Sequence, residues 1–566
     1  MHKLKNLTKP VVFQPFYRQL IYKALQKDLP NSSSFLKFKK QFCHSRKIPQ
    51  PTNADLREIY EKMVKEKKIT RHPGLEKIML ARAIRTQSGV AVVAVLTKPY
   101  PCPGQCIFCP SAQGMPKSYL PNDPAVMRAM MNKFHPYRQV QARLYALELN
   151  GHPLDKIELI VMGGTFSYFP ARYQKWFIKE CFRAANDYPR PKKVSASPVK
   201  NISLSDQLKK EQQRNEKARC RIIGLTLETR PDYINEKELF NFRQLGCTRV
   251  EIGVQSVFDE ILKLNRRGHT VQATAHATQL LKDTGFKINY HIMPGLYGIP
   301  GTRPGKTSRR FSDQQMFRQL FSDSRFQPDM LKIYPTLVIK NSQLYRLWKK
   351  GEYRPLTDQK FEKLLIDIKK KYIPPYVRIQ RVVRDVPLPS IEAGPKISNL
   401  RQVIAQKVRC PCIRCREIKG DFSPQDAIQL ERIDYPASRG KEIFLQFINP
   451  VNQKLYALLR LRIPSFQNRK IYRYFPALQN AALIRELHTY GKLTALGEKK
   501  VSSPQHSGLG KKLVREAEKI TREELTRLNI PQERQKIAVI SGIGVRDYYR
   551  RLGYRLRETY MVKKLD

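Results

Sequence analysis

Six short apolar runs, each closing on sulfur, glycine, proline or polar side chains, constrain this chain more than any other feature. Val90–Leu96 feeds a cysteine loop, and Ile157–Met162 ends in Gly163-Gly164-Thr165. Ile222–Leu227 ends in Glu228-Thr229-Arg230-Pro231, and Val250–Val254 in Gln255-Ser256. Ile288–Met293 ends in Pro294-Gly295, and Met330–Tyr334 in Pro335. Helical stretches such as Pro124–Leu149 and Thr270–Thr284 lie between them. β-Branched runs alternating with helices predict a parallel sheet. Six such units predict a partial (β/α)6 barrel, whose chemistry belongs at the C-terminal ends of the strands. Every motif just named falls at such an end.

The loop after the first run reads Cys102-Pro-Gly-Gln-Cys106-Ile-Phe-Cys109-Pro. Thiolates spaced C-x3-C-x2-C wrap one face of an iron–sulfur cluster. A 4Fe–4S cubane has four irons, so three cysteines leave one open to a small molecule. A zinc knuckle, or three incidental thiols, is the plainer reading of the spacing alone. A second cluster, Cys410-Pro-Cys412-Ile-Arg-Cys415, supplies three soft ligands and suits structural zinc. Its fourth ligand must come from elsewhere: Cys43, Cys181, Cys220, Cys247 or a histidine. A second iron–sulfur cluster is the alternative. Six of the 10 cysteines sit in these two clusters, which reads as metal binding in a reducing compartment, hence a cytoplasmic location. No apolar run is long enough to span a membrane, and no signal-peptide pattern opens the chain.

Past the proline-rich loops around Pro374–Pro395 the pattern changes. Ile443–Ile448 and Leu455–Ile463 predict an antiparallel sheet and Lys536–Ser541 a further strand, so a separate α+β domain follows. Gln505-His-Ser-Gly508-Leu-Gly510-Lys511 opens an apolar-periodic helix marked by Leu513, Ala517 and Ile520. Backbone N–H groups at such a turn, with the helix dipole, bind a pyrophosphate. A Rossmann loop is the rival, but no parallel βαβ unit with a ribose-binding acid surrounds it.

Lys and Arg number 105 against 48 Asp and Glu, a net charge of +57 over 566 residues. That excess points to a polyanion as partner, though lipid surfaces are polyanions and a basic proteome supplies charge of its own. Residues 1–50 carry eleven Lys or Arg and one acid, Asp28. Phe13, Phe16, Tyr17, Tyr22, Phe35, Phe38 and Phe42 are interleaved with them. Basic plus aromatic is a nucleic-acid pattern; a small helical domain with an aromatic core is the alternative.

C-x3-C-x2-C is the spacing of radical S-adenosylmethionine (SAM) enzymes, whose open iron chelates SAM. In that light the Gly163-Gly164 pair lets backbone approach the methionyl amino group. Glu228, Arg230, Gln255 and Ser256 then hold the ribose and carboxylate, with structural ion pairs as the alternative for Glu228 and Arg230. The Q-x-x-G-x-G turn and the ending Asp547-Tyr548-Tyr549-Arg-Arg-Leu-Gly553-Tyr554 resemble the GNAT acetyltransferases and their acetyl-CoA loop. A radical SAM barrel followed by a GNAT domain resembles the catalytic subunit of Elongator, the tRNA uridine acetyltransferase family. The blocks that carry the resemblance are 88–103, 156–166, 223–234, 248–257, 267–271, 329–339, 482–491, 505–510, 536–554 and 560–565. The first ~50 residues match less well.

The resemblance implies a tRNA carboxymethyluridine synthase. A SAM-derived radical takes hydrogen from the acetyl-CoA methyl group, the carbon radical adds to C5 of the wobble uridine, and thioester hydrolysis follows. It implies that Cys102, Cys106 and Cys109 hold the 4Fe–4S cluster and that Lys156 contacts acetyl-CoA within the barrel. Glu486, Leu487, His488, Thr489, Gly508, Leu509, Gly510, Lys511, Gln505 and Tyr549 then make the acetyl-CoA site. His488, Tyr548, Tyr549 and Lys156 are the catalytic candidates. tRNA and an external electron donor are the implied partners. The cysteine spacing is the short prokaryotic type, which implies a chain acting without accessory subunits; homo-oligomerisation stays open. The family's M-P-G-L-P-G turn is here Met293–Gly301, with three extra residues and the basic stretch 303–310 after it.

The expected layout is a basic tRNA-binding region over 1–75, a radical SAM domain over 76–395, a zinc-binding linker over 396–420 and a GNAT domain over 421–566. The two sites are expected to share one cavity, the C-terminal pocket facing the strand C-termini. A GNAT protein acetyltransferase with a merely structural cluster is a competing reading, but a structural cluster needs four protein ligands. An inactive tRNA-binding module is another, against which both motifs stand.

Overall fold

The computed structural model describes residues 13–80, 89–190, 202–303, 311–384, 386–397, 399–419, 426–491 and 508–565. The first sheet holds β1 (Ala91–Leu96), β2 (Lys156–Met162), β3 (Arg221–Thr229), β4 (Arg249–Gln255), β5 (Lys287–Ile292), β6 (Met330–Ile333) and β7 (Arg378–Arg381). They lie side by side in sequence order, every neighbouring pair parallel, so the sheet is an open half-barrel with β1 and β7 as edges. All six expected strands are there. The seventh, Arg-Ile-Gln-Arg, is too short and too charged to register as an apolar run. Helices such as Ala171–Asp187 and Val271–Asp283 cover the outer face, the latter capped by the Thr270 side chain on the Ala273 N–H.

A closed barrel of this kind fills its interior with Val, Ile and Leu. Here alternate strand positions turn charge inward: Glu158, Arg249, Glu251, His291, Lys332, Arg378 and Gln380 all line one cavity. The lumen is therefore a polar passage and not a packed core.

The second sheet holds β8 (Gln429–Ala437), β9 (Gly440–Ile448), β10 (Leu455–Ile463), β11 (Ala481–Thr489), β12 (Lys536–Val539), β13 (Arg555–Arg557) and β14 (Tyr560–Lys564). Its order is β13-β14-β12-β11-β10-β9-β8. The antiparallel expectation holds except between β11 and β12, which run parallel. On β11, β12 pairs only with Ala481–Ile484, so among the described residues the rest of β11 has no neighbour on that side.

This sheet packs across the N-terminal ends of the barrel strands. A Cβ on Gly542 would stand 2.0 Å from the carbonyl oxygen of Ile223, so only glycine permits the approach. Around it lies a buried ionic cluster. Asp329, just before β6, accepts from both Arg485 guanidinium nitrogens at 3.0 and 2.5 Å. Arg485 also donates to Glu442 at 2.7 Å, and Arg462 to Asp283 at 2.6 Å. Lys282 lies 3.7 Å from Asp329 and 3.6 Å from Glu442. Removing one partner of such a set leaves an uncompensated buried charge, at about 3–5 kcal/mol.

Ahead of the barrel, helices Gln14–Leu25, Ser32–Ser45, Asn53–Lys65 and Pro73–Ile78 form a bundle with its own core. Tyr17, Phe35, Phe38 and Phe42 are buried in that core, so they are not the stacking surfaces the sequence suggested; Phe16 and Tyr22 remain exposed. The core runs on to Met79, past the expected boundary at 75.

Candidate active site

Three free cysteines, Cys102, Cys106 and Cys109, are half-buried in the loop after β1 and line a cavity of about 1830 Å³. Gly104 N–H donates to Cys102 Sγ at 3.4 Å, and Arg267 donates to Cys106 Sγ at 3.3 Å. Burial above all pushes the Cys109 thiol up to about 12, so ligation to a cation is what would deprotonate it. After β2, Gly163 sits at φ +132° and its missing Cβ would lie 1.9 Å from Thr97 Oγ1. Gly164 is also left-handed, at φ +102°.

At the ends of β3 and β4, Glu228, Arg230 and Gln255 line the same cavity, while Ser256 does not. Arg230 spends two nitrogens on Asp232, both at 2.9 Å, and leaves Nη1 buried without a partner. Gln255, a non-glycine residue at φ +69°, leaves its amide oxygen likewise unpartnered. Ser256 is buried and accepts from the Phe258 N–H at 3.3 Å. Three free sulfurs, a side-chain-free cradle, an orphaned donor and an orphaned acceptor fit a cluster with a polar ligand beside it.

Just beneath lies a group of which the sequence reading found only Glu228. Glu228 accepts from the Tyr119 hydroxyl at 3.1 Å and lies 3.8 Å from Lys332. Glu251, fully buried, takes Lys332, His291 at 2.9 Å and Asn289 at 3.1 Å. Ligand atoms of Glu228, Glu251 and His291 fall within 4.8 Å of one another, as around a divalent ion. The Lys332 ammonium already fills that role: burial, the largest effect, would discharge it, but Glu251, Tyr334 and Glu228 together outweigh burial and hold it up at about 12. The signal was present as every second position of β3 to β6, which looks like an exposed polar face until the sheet is curved.

The expected acetyl-CoA residues gather on and beside β11, which ends one residue before Tyr490 in the wall of that cavity. Gly508, at φ +75°, precedes the helix Leu509–Arg527. A Cβ on Gly510 would stand 3.0 Å from the Tyr548 hydroxyl, with Thr489 and Leu487 next nearest, so these four converge. Lys511 is exposed on the helix's first turn. Tyr549 packs behind Tyr548, ring centroids 5.2 Å apart, and is buried. Gln505 lies outside the described residues. Glu486 is taken by Arg460 at 2.9 Å and Lys287 at 3.3 Å.

His488 leaves Nε2 unpartnered, its ring 4.3 Å from that of Tyr490. Burial first, then Arg378, Lys287 and Lys156, lower its pKa to about 4 against the pull of Glu486. The imidazole is neutral at pH 7. Lys156 and Lys287 open β2 and β5, so this end faces the strand N-termini and not the C-termini as expected. The cavity runs from the cysteines past Glu158, Arg249 and Lys332 in the lumen to Arg378, Glu417 and Tyr490, and among the described residues none of Glu486–Thr489, Gly508–Lys511, Tyr548 and Tyr549 lines it.

Cys410, Cys412 and Cys415 bring their sulfurs within 4.8 Å of one another, which fits a soft metal. Cys43 belongs to the bundle core, and Cys181, Cys220 and Cys247 to the barrel core. None of these four joins the group, which corrects that part of the expectation. No helix among the described residues is long and apolar enough to cross a membrane.

Residues 100–303 match the Radical SAM superfamily, and residues 328–409 the Radical_SAM C-terminal domain. The chain is 43% identical over 536 residues, 92% of each chain, to a tRNA uridine(34) acetyltransferase of Methanocaldococcus infernus. It is 44% identical over 491 residues to that of Dehalococcoides mccartyi, covering 85% of this chain and 99% of the relative. Human Elongator complex protein 3 is 36% identical over 505 residues, 86% of each chain. Among solved structures, the archaeal Methanocaldococcus infernus Elp3 with an N-terminal deletion (1–46) superposes with a TM-score of 0.67 at 42% identity, over 84% of this chain and all of that one.

Proposed function

The chain belongs to the tRNA uridine(34) acetyltransferase and Elongator complex protein 3 family, and on that premise we propose that it attaches the acetyl unit of acetyl-CoA to C5 of the wobble uridine of tRNA, leaving carboxymethyluridine. In this reading Cys102, Cys106 and Cys109 hold a 4Fe–4S cluster, with SAM among Gly163, Gly164, Glu228, Arg230, Gln255 and Ser256. Bound there, the pair supplies one-electron cleavage of a SAM C–S bond and thus a radical able to take hydrogen from the acetyl methyl group, the electron coming from an external donor.

The observation that carries the reading is the single cavity joining the three cysteines to Tyr490 beside His488. Water quenches a carbon radical, so the acetyl methyl group must be brought to the cysteine end. A charged, open lumen offers that route where a packed barrel would not. The N–H groups at Gly508–Lys511 hold the CoA pyrophosphate, in a GNAT-like sheet whose β11 loses its β12 neighbour at Arg485. Leu487, Thr489 and Tyr548 flank the acetyl arm, Tyr549 supports Tyr548, and Lys156 lies along its path. Neutral His488, with Nε2 free of protein partners, takes the proton of the water that hydrolyses the thioester. Cys410, Cys412 and Cys415 hold structural zinc. The bundle and the overall charge of +57 serve tRNA.

Nucleoside mass spectrometry tests this. tRNA incubated anaerobically with the reconstituted chain, SAM, acetyl-CoA and a reductant should yield carboxymethyluridine only when all are present. Product without SAM, or acetyl groups appearing on protein lysines instead of tRNA, would sink the reading.

A further inference from the structure

A chain of directed contacts runs from the second cysteine cluster to His488, and the reading above does not use it. The short helix Ile413–Arg416, which starts directly after Cys412 and contains Cys415, is fastened on both sides. Ile413 N–H donates to the Val377 carbonyl at 2.9 Å, just before β7, and Ile418 N–H donates to Leu455 at 3.1 Å, at the start of β10. Glu417 is thereby fixed between the two sheets, bridged to Leu455. Its carboxylate lies 2.8 Å from Arg378 Nη1, and that same nitrogen donates to the Tyr490 hydroxyl at 3.1 Å. Tyr490 is held in turn by its N–H on the Tyr456 carbonyl at 2.8 Å, and its ring lies 4.3 Å from that of His488.

We infer that Arg378 is a positioning residue, which carries the placement of the cysteine turn through Tyr490 to His488 and fixes the charge that His488 meets. Its role in thioester hydrolysis rests on the acetyl-CoA reading; its geometry does not. The Arg378 guanidinium hydrogen-bonds the Tyr490 hydroxyl and meets Glu417, whose Oε2 accepts no hydrogen bond among the described residues, as a close ion pair; its plane fixes where both lie, whereas lysine offers a single mobile point of charge. The charged groups facing His488 are Glu486 from its own strand, Lys156 from β2, Lys287 from β5 and Arg378 from β7. Glu486 is already taken by Arg460 and Lys287. Arg378 is thus one of three cations that keep the imidazole neutral, and the only one of the three tied to the cysteine turn.

The test uses the full chain labelled with ¹³C-histidine and carrying Arg378→Gln, Arg378→Lys or Glu417→Gln. His488 is assigned by its loss in His488→Gln and titrated from about pH 3 to about pH 7 without acetyl-CoA, a window that brackets its lowered pKa of about 4. Arg378→Gln should move the His488 titration upward by roughly half a unit to one unit, the effect of one removed neighbouring charge. Arg378→Lys, which keeps the charge, should leave it in place. Both Arg378→Lys and Glu417→Gln should lower kcat for acetyl-CoA hydrolysis several-fold, with KM changed by less than about twofold. An unmoved His488 titration in Arg378→Gln overturns the inference, as does full kcat in both conservative variants. Should Arg378→Gln fail to fold, the kcat against KM split in the other two decides alone. Should the native chain not hydrolyse acetyl-CoA, the functional reading fails while the titration still decides the positioning.

Discussion

Alanine at Gly163 probes the cradle after β2 most directly. Its Cβ would stand 1.9 Å from Thr97 Oγ1, 3.1 Å from Thr97 Cβ and 3.3 Å from Thr97 N, at φ +132°. Rotating the threonine moves Oγ1 away but not the other two atoms. The Thr97 N–H is donated to the Met162 carbonyl at 2.9 Å, so the backbone there is tethered. The backbone conformation alone costs an L residue about 1–3 kcal/mol, and the forced contact adds about 1–3 kcal/mol. A middle value of about 4 kcal/mol corresponds to nearly 10³ in an equilibrium constant, at about 1.4 kcal/mol per decade. Relief by shifting the loop is no remedy, because Thr97 leads within a few residues into Cys102. SAM affinity of the iron-loaded variant should therefore fall at least ~30-fold. Adding Thr97→Ala removes the nearest atom and should return roughly tenfold. Equilibrium dialysis with labelled SAM, deoxyadenosine release and acetyl-CoA affinity as a far-end control make the assay. SAM binding within about twofold of the native chain would refute the cradle, and no recovery in the double variant would refute the steric argument.

The other expectations are briefer. Cys106→Ser should abolish iron loading at the barrel and SAM cleavage while sparing tRNA binding; retained cleavage would remove the radical SAM assignment. Gly510→Glu places bulk against the Tyr548 hydroxyl, 3.0 Å from the new Cβ, and a negative charge at a helix N-terminus; it should weaken acetyl-CoA binding by about two decades, and unchanged hydrolysis would end the loop assignment. Deleting residues 1–50 would cut through the bundle core, so the cleaner tRNA test replaces exposed Lys23, Lys27, Lys37 and Lys40 by alanine. The log–log salt slope should flatten by up to about 0.9 per lost phosphate contact, with melting unchanged; an unaltered slope would show that this face does not meet tRNA. Burial pushes the Asp313 carboxyl up to about 7, against the pull of the Gly295 N–H. A raised acid contributes stability at low pH that is lost as pH rises through the folded value. Full below the unfolded value of 3.8, that stability declines from there up to about 7, so Asp313→Asn should melt nearest to the native chain at about pH 4 and a few degrees above it near pH 8; a gap that does not widen between those pH values would contradict the burial argument.

The half-barrel was legible because its strands are β-branched and end in sulfur, glycine, proline or polar side chains. Gly163, Arg230 and Gln255 were found by position, at strand ends. What escaped shares one cause: inward-facing charge. Glu251, His291 and Lys332 alternate with buried apolar residues, a pattern identical to that of a strand with one wet face. β7 has only one apolar residue among its four, so neither it nor Arg378 gave a periodic signal. Tyr17, Phe35, Phe38 and Phe42 were misread for the converse reason. Aromatics among lysines fit a stacking surface and a small core equally well, and helix periodicity decides only when the helix ends are known. That the second sheet meets the strand N-termini rests on pairs such as Asp329 with Arg485, 156 residues apart, a separation no local pattern encodes.

The ionic cluster around Asp329 and Glu442 also governs how the two halves can be recombined. Its arginines come from β10 and β11, while Lys282, Asp283 and Asp329 come from the barrel. A chimera that joins one relative's barrel to another's second sheet therefore succeeds only if it transplants both sides of this cluster together. Exchanged singly, either half brings charges whose answers stayed behind in the donor.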